Sequence, residues 1–412
     1  MKESRLKRLT GLLFALILIL LSVLFFSNDF GILDLRKSSV VIGVGIDKEG
    51  EELKLTCQIA VPQPAENGEN TQFTAVTGKG KTVACCLNEV NIKTGFYPKL
   101  VFCKLILLGE SCFTDDINTL LTYFYSNEYT GLTLNIAACK GSAGDMMSMS
   151  LPHGDSMTDF LERLLSDEAQ KSGNVAAVTL NDFGQSYLKK GATNYMPYIE
   201  TDGQAEESGS GSSGGEQQGG SSGGSSGGGQ QGGSSGSSGG DEGGKQTEFL
   251  CNKTAMFTDG YFKGVLDEDA TFGLCLIKNG IRHTYTECGN VQERVVLGLR
   301  NCKGDSELII EHGVPVLKFK FKAVAQIVDD ETQEREKKKE SGSTPDEALK
   351  QGEEQLKGLF KQLFESAKGA DCDVIGVKDM LYKKHFKYYD TFKDIIYDKL
   401  TVVYEISLKS NA

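Results

Sequence analysis

No two of the eleven cysteines in this 412-residue chain stand in a C-x-x-C pair, which removes the usual zinc and thioredoxin-like spacings. Their odd number also excludes a complete disulfide framework within one chain. Most read as small apolar core residues. Histidine is scarce: His153, His283, His312 and His385 show no H-E-x-x-H element and no paired spacing. They offer neither a metal cage nor a triad base and read as surface or loop residues. Outside the Gly/Ser-rich stretch described below, no G-x-S-x-G nucleophile elbow occurs. Basic residues are outnumbered, 44 Lys and Arg against 56 Asp and Glu, for a formal net charge of −12. A surface that tracks nucleic-acid phosphates needs concentrated positive charge, so nucleic acid is excluded as a partner.

A long hydrophobic run is also missing, but a short one is present. Lys2, Arg5, Lys7 and Arg8 precede an uncharged apolar run from Gly11 to Phe26, and Asn28 and Asp29 follow it. By the positive-inside rule the N-terminus stays inside and the rest of the chain lies outside. The run spans about 24 Å as a helix, short of a hydrocarbon core of about 30 Å. It fits an uncleaved signal anchor and, equally in length, a signal-peptide apolar region. No small-x-small cleavage site follows, and Ser27 to Leu35 contains no cysteine for acylation. We read residues 1–32 as a signal anchor.

Beyond the anchor the sequence mixes strand and helix patterns. Val40 to Asp47 and Leu53 to Val61 are strand-like and joined by a Gly-containing turn, Lys48 to Glu52, which predicts a hairpin. In the second run Leu53, Leu55, Cys57, Ile59 and Val61 alternate with Lys54, Thr56, Gln58 and Ala60, so one face is expected to be wet. Leu100 to Leu108 reads as an interior strand. Helical spacing appears at Ile117, Leu120, Leu121 and Phe124 behind Asp115 and Asp116, and at Met157, Phe160, Leu161, Leu164 and Leu165 behind Asp155 or Ser156.

From Gly203 to Lys245 the residues are almost entirely Gly, Ser, Gln, Glu and Asp. Such a composition cannot repay the entropy of ordering, so a coil is expected, as a domain linker or as a loop between two strands. After it, Phe249 to Phe257 and Val316 to Val328 read as strands. In the latter Leu317, Phe319, Phe321, Ala323, Ala325 and Ile327 share a face, opposite Lys318, Lys320, Lys322 and Gln326. The longest helix is expected behind a Thr344 cap with Pro345 at its first position and Glu347 completing a capping box. It buries Leu349, Leu356, Leu359, Phe360, Leu363, Phe364 and Ala367 and stops at Gly369. Arg335 to Glu340 is a charged loop or strand end. Leu400 to Leu408 forms the last strand. The fold class is α+β, with mixed, mainly antiparallel sheets and packed helices in two or three subdomains. The expected regions are 35–202, the coil 203–245, and 246–412.

One segment imitates a nucleotide site. Ala75-Val-Thr-Gly-Lys-Gly-Lys-Thr82 is a degenerate P-loop with Ala in place of the first Gly. The plain reading is a turn at Gly78 to Gly80 followed by a helix from Lys81 through Val90. Paired carboxylates such as Asp115–Asp116 and Asp329–Asp330 sit in cap or turn settings. No catalytic, cofactor-binding or metal-binding residue is assigned.

Five blocks, in order, resemble the Ger(x)C family of spore germination proteins. They are Val40-Val-Ile-Gly-Val-Gly-Ile-Asp47 with the Leu53 to Pro62 strand; Gly80-Lys-Thr-Val-Ala84; Leu134-Asn-Ile-Ala-Ala-Cys-Lys-Gly-Ser-Ala143; Thr254 to Leu266; and Ala370-Asp-Cys-Asp-Val-Ile-Gly-Val377 with the aromatic, basic stretch to Phe392 and the final strand. The second block is similar to the family's helix start rather than to a P-loop. The family's usual lipobox cysteine near residue 30 is missing, and Ser126-Asn-Glu128 replaces an arginine-rich segment. The resemblance implies a non-enzymatic germinant receptor subunit on the outer face of the spore inner membrane, with two integral-membrane partner subunits. It supplies no site residues. Two rival classes remain. A solute-binding module should show a ligand pocket at a crevice, and a cell-wall hydrolase should show converging carboxylates.

Overall fold

The structure is a computed structural model that describes residues 11–22, 38–63, 70–149, 151, 156–166, 173–191, 193–202, 248–278, 281–290, 293–330 and 346–410. The chain divides into two compact units. Unit 1 takes the residues up to 136, with 142–163 and 179–184; unit 2 takes 137–141, 164–178 and 185 onward. Residues 11–22 are helical with exposed side chains. Among the described residues no helix is long and apolar enough to cross a membrane; residues 23–26 of the expected anchor lie outside the described residues.

Unit 1 is built on the expected hairpin. β1 (Ser38–Glu49) and β2 (Glu52–Gln63) pair antiparallel from Val40↔Ala60 to Glu49↔Glu52, so the turn is tighter than the five residues anticipated. β3 (Asn70–Gly80) extends the sheet beyond β2. The other edge of β1 takes β4 (Tyr97–Lys99) and β5 (Leu105–Gly109) in parallel. All five residues of β5 are buried. The expected strand from Leu100 is therefore shorter, because Leu100 to Lys104 turn, with the Cys103 amide on the Leu100 carbonyl at 2.9 Å.

Helix α1 (Val83–Thr94) starts at Thr82, whose hydroxyl accepts from the Cys85 amide at 3.3 Å. The expected turn at Gly78 to Gly80 is not a turn: these residues are ladder positions of β3, with Leu53↔Gly80 and Leu55↔Gly78 in register. Glycine is required there by α1. A Cβ at Gly78 would stand 2.2 Å from the Cys86 carbonyl oxygen, far inside contact distance, so the helix backbone lies directly on the strand.

Helix α2 (Ile117–Ser126) is capped by Asp116, which accepts from the Asn118 amide at 2.9 Å. The chain then runs through β6 (Asn135–Cys139), α3 (Ala143–Ser148), α4 (Met157–Leu164), β7 (Val178–Thr179) and α5 (Leu180–Tyr187), elements along which it passes between the units. Ser156 caps α4 as expected, accepting from the Asp159 amide at 2.9 Å and donating to Asp159 Oδ2 at 2.6 Å.

The polar face of β2 is not wet. Thr56 and Gln58 are buried, because α3 and α4 cover the sheet on that side. Gln58 donates to the Met147 carbonyl at 3.4 Å and accepts from the Thr158 amide at 2.8 Å. A polar side chain is tolerated in that interior because both ends of its amide are bonded.

In unit 2, β8 (Thr193–Asp202) pairs in parallel with β6 and antiparallel with β9 (Glu248–Thr258), from Thr193↔Thr258 to Asp202↔Glu248. β10 (Tyr261–Leu266) closes a hairpin on β9. The expected coil lies outside the described residues, between the paired ends of β8 and β9.

A second sheet runs β11 (His283–Asn290), β12 (Glu293–Glu311), β13 (Val314–Asp330), β14 (Thr401–Ser410). Its first two ladders are antiparallel, and β13–β14 is parallel from Val316↔Thr401 to Ala325↔Ser410. Helices α6 (Glu268–Lys278) and α7 (Asp346–Gly369) share its core. Phe319 stacks on Phe360 with ring centroids 5.4 Å apart. Each fully buried ring of this kind contributes about 2–3 kcal/mol. The apolar stripe of α7 is buried as its spacing predicts.

Its expected cap at Thr344 and Pro345 lies outside the described residues, and the helix ends at Gly369 as expected, although Gly369 is its last helical residue and not the left-handed one. Asp371 takes the left-handed conformation, at φ 49°. The Asp371 amide bonds the Lys368 carbonyl at 3.1 Å and the Cys372 amide bonds that of Ala367 at 3.0 Å. This is a complete Schellman closure with Asp where Gly is commoner.

Candidate functional site

The cleft of note lies in unit 1 and has a volume of about 480 Å³. The end of β1 brings Lys48 to it and the β1–β2 turn Glu51, the start of α1 brings Lys81 and Thr82, and the start of α2 brings Asp115, Asp116, Thr119 and Tyr123. Leu53, Val83 and Leu120 supply apolar lining. Local capping positions the polar groups. Asp116 is occupied by the Asn118 amide and by the Thr119 hydroxyl, the latter at 2.9 Å. The Lys48 amide donates to Ser111 Oγ at 2.9 Å, and its ammonium pairs with Asp115. That hydrogen bond to Asp115 holds the Lys48 ammonium above its ordinary pKa.

The cysteine of the cleft is not set up as a nucleophile. Cys112 faces the cleft, but burial pushes its thiol up to about 12, and its Sγ donates to the Ile46 carbonyl at 3.2 Å. A thiol so held is not a nucleophile at neutral pH. Both aspartates have structural duties. Lys81 and Glu51, exposed at the rim, give the cleft one cationic and one anionic group. Nothing local in the sequence announces this arrangement, since Lys48 and Asp115 are 67 positions apart. The P-loop reading has no structural basis, because Gly78 and Gly80 spend their backbones in the β2–β3 ladder.

The histidines do not assemble. His283 bonds the Tyr285 hydroxyl at 2.9 Å and His385 the Leu308 carbonyl at 2.9 Å; His312 occupies a left-handed turn position, and His153 lies outside the described residues. Among the described residues no group of three or more His, Cys, Asp and Glu is placed to hold a metal ion.

The blocks singled out in the sequence turn out to be joints of the fold. Asp47 accepts from the Ala143 amide at 2.8 Å, the Gly144 amide at 2.7 Å and Ser142 Oγ at 3.0 Å, so the end of the first block caps the helix that opens after the third. Gly45 permits the approach, since a Cβ there would meet the Ala143 carbonyl oxygen at 2.9 Å. In the last block Asp371 closes α7. Asp373, buried, accepts from the Gly376, Val377 and Lys378 amides at 3.0, 2.7 and 2.7 Å and from the Tyr397 hydroxyl at 2.5 Å. Burial raises the Asp373 pKa, and those bonds oppose the rise.

Residues 32–201 match the family described as spore germination protein N-terminal domain, and residues 252–411 match the one described as spore germination B3/GerAC like, C-terminal. The chain belongs to the GerAC-like spore germination family. A solved structure, the crystal structure of the GerBC protein, is similar in fold. It shares 15% identity, with 89% of this chain and 96% of that chain covered, at a TM-score of 0.50. No curated protein matches the chain. Within the blocks that resemble the family, Asp47, Gly45, Asp371 and Asp373 occupy caps and close approaches.

Proposed function

We propose that the chain is a membrane-anchored, extracytoplasmic and non-enzymatic subunit of a spore germinant receptor, acting with two integral-membrane partner subunits at the outer face of the spore inner membrane. The observation that carries this reading is the ordered match of both family domains over residues 32–201 and 252–411. Anchoring rests on the Gly11 to Phe26 run behind four basic residues, whose burial far exceeds what one acyl chain supplies. Replacing residues 1–30 with a cleavable signal is expected to release the protein from the membrane and abolish nutrient-triggered germination, while receptor-independent germination persists. A processed N-terminus near residue 30, with full activity in the soluble fraction, would overturn the reading.

The cleft of unit 1 favours a second reading, in which the subunit itself takes a small solute bearing both charges. Its test is a thermal-shift screen of such solutes. A shift must occur in the native chain and be lost in Lys81→Ala for the reading to stand.

A further inference from the structure

Residues 382–389 read Tyr-Lys-Lys-His-Phe-Lys-Tyr-Tyr, four aromatics and three lysines without a carboxylate, in a chain of net charge −12. The structure folds this run through the end of helix α8 (Val377–Lys384) and a 3-10 turn, Phe386–Tyr388, into one aromatic cluster. The Tyr382 ring meets Phe386 at 5.4 Å and Tyr389 at 5.2 Å. Lysines rim it, with Lys190 Nζ 4.9 Å above the Tyr382 ring and Lys387 Nζ 4.9 Å above that of Tyr388. Phe386 nonetheless remains 65% exposed and Tyr382 37%, and Leu188, two residues before Lys190, is 83% exposed.

These rings do not belong to a fraying end. His385 is fastened to Leu308 of β12 at 2.9 Å, and Asp373 caps the start of α8. A fixed cluster of exposed rings has no stabilising role in water, where its hydration is unfavourable. Of the nearby carboxylates, Glu307 feels the charge of Lys384 but is paired with Lys320. Asp379 is taken by Lys383 at 2.7 Å and Asp390 by Lys393 at 3.1 Å. Among the described residues Lys190, Lys384 and Lys387 form no ion pair with a carboxylate.

We propose that this face docks on an anionic lipid surface, with Phe386 and Tyr382 at the acyl boundary and Lys190, Lys384 and Lys387 at the lipid phosphates. Aromatic rings with lysine stems that carry their charge outward are what the water–lipid boundary selects. The local positive charge complements an anionic leaflet and opposes the net charge of the chain, each lysine being worth about fivefold in partitioning. The proposal rests on the membrane reading above but not on the N-terminal run, because it concerns a separate point of contact.

The chain contains no tryptophan, so Phe386→Trp places a single reporter at the centre of the patch. Tyr285→Trp is the control, opposite Gly298 in the β11–β12 ladder. Ten residues of strand separate Gly298 from Leu308, or roughly 30 Å. The full chain is reconstituted with vesicles of phosphatidylcholine, with or without phosphatidylglycerol, carrying brominated acyl chains. Flotation reports the anchor and quenching reports the patch. In anionic vesicles the reporter at 386 should shift to the blue and be quenched while that at 285 is not, and Lys384→Gln with Lys387→Gln should weaken docking of the patch about 25-fold and reduce the quenching accordingly. Protein that floats with an unquenched reporter at 386 overturns the proposal and leaves the anchor standing. Equal quenching in phosphatidylcholine alone, or shielding that requires co-reconstituted partner subunits, overturns it as well, the latter in favour of a protein occupant.

Discussion

Asp47, near the end of β1, accepts a 2.7 Å hydrogen bond from the amide of Gly144, 97 positions further along the chain. Its other oxygen takes the Ala143 amide at 2.8 Å. One carboxylate therefore ties the opening hairpin to the start of α3, and both groups are buried, so neither amide has water as an alternative.

Asp47→Ala should destabilise the protein by about 1–3 kcal/mol, the cost of leaving buried donors unmet. Urea denaturation checks this: a midpoint unchanged at constant slope would show that the cap is dispensable.

Gly78→Ala should cost about 1–3 kcal/mol through overpacking, because its Cβ would meet the Cys86 carbonyl oxygen at 2.2 Å. Lys81→Ala, at an exposed position, should stay within about 0.5 kcal/mol. Neither the native chain nor Lys81→Ala should bind ATP in calorimetry. Saturable binding lost on that substitution would restore the P-loop reading.

Lys104 bonds Asp159 and Glu162, each at 2.9 Å. Burial is the largest influence on Asp159 and raises its pKa, yet the bonds from Lys104 and Ser156 together carry it below the ordinary value. A lowered folded-state pKa gives stability that is present above the unfolded-state value and lost as pH falls through the folded-state value. Lys104→Met should therefore cost about 0.5–1 kcal/mol near pH 6, and the difference from the native chain should vanish towards pH 2 to 3, roughly. An equal cost at both pH values would mean that the lysine acts through packing.

Of the eleven cysteines, nine are buried, Cys302 is half-buried and Cys85 is exposed. Burial pushes the Cys103, Cys251 and Cys275 thiols up to about 12, so they are protonated at neutral pH. Native alkylation followed by peptide mass mapping should modify Cys85 first by a wide margin. Rapid modification of Cys57 or Cys139 would contradict the packing of β2 and β6.

Asp202 and Glu248 are cross-strand partners, so a two-residue Asn-Gly turn in place of residues 203–247 should preserve the β8–β9 ladder. Loop closure becomes easier by four to five doublings of length, a gain of up to about 3 kcal/mol. A drop in thermal midpoint would show that residues 203–247 pack on the fold.

Several elements were legible because their causes are local. Asp116 caps the helix that follows it, and the alternation from Leu317 to Ile327 puts those side chains on the core side of β13. The reading failed where a distant element supplied the cause. Gln58 alternates like a surface residue but is covered by α3 and α4, and Gly78 resembles turn punctuation but marks the place where α1 lies on β3. Gly369 ends α7 as expected, but the left-handed position that closes it falls to Asp371, where a glycine is commoner.

The cleft was wholly illegible, because Lys48, Lys81 and Asp115 converge only after the turn and two helix starts are in place. Sequence by itself determined the α+β class and the central helices and strands, since periodicity and capping act over a few neighbouring residues. Tertiary structure alone decided which strand faces are dry, where glycine is obligatory, and which charges meet. Those outcomes depend on the approach of backbones dozens of positions apart, as between Asp47 and Gly144 or Gly78 and Cys86, and no local pattern encodes the approach of a distant backbone.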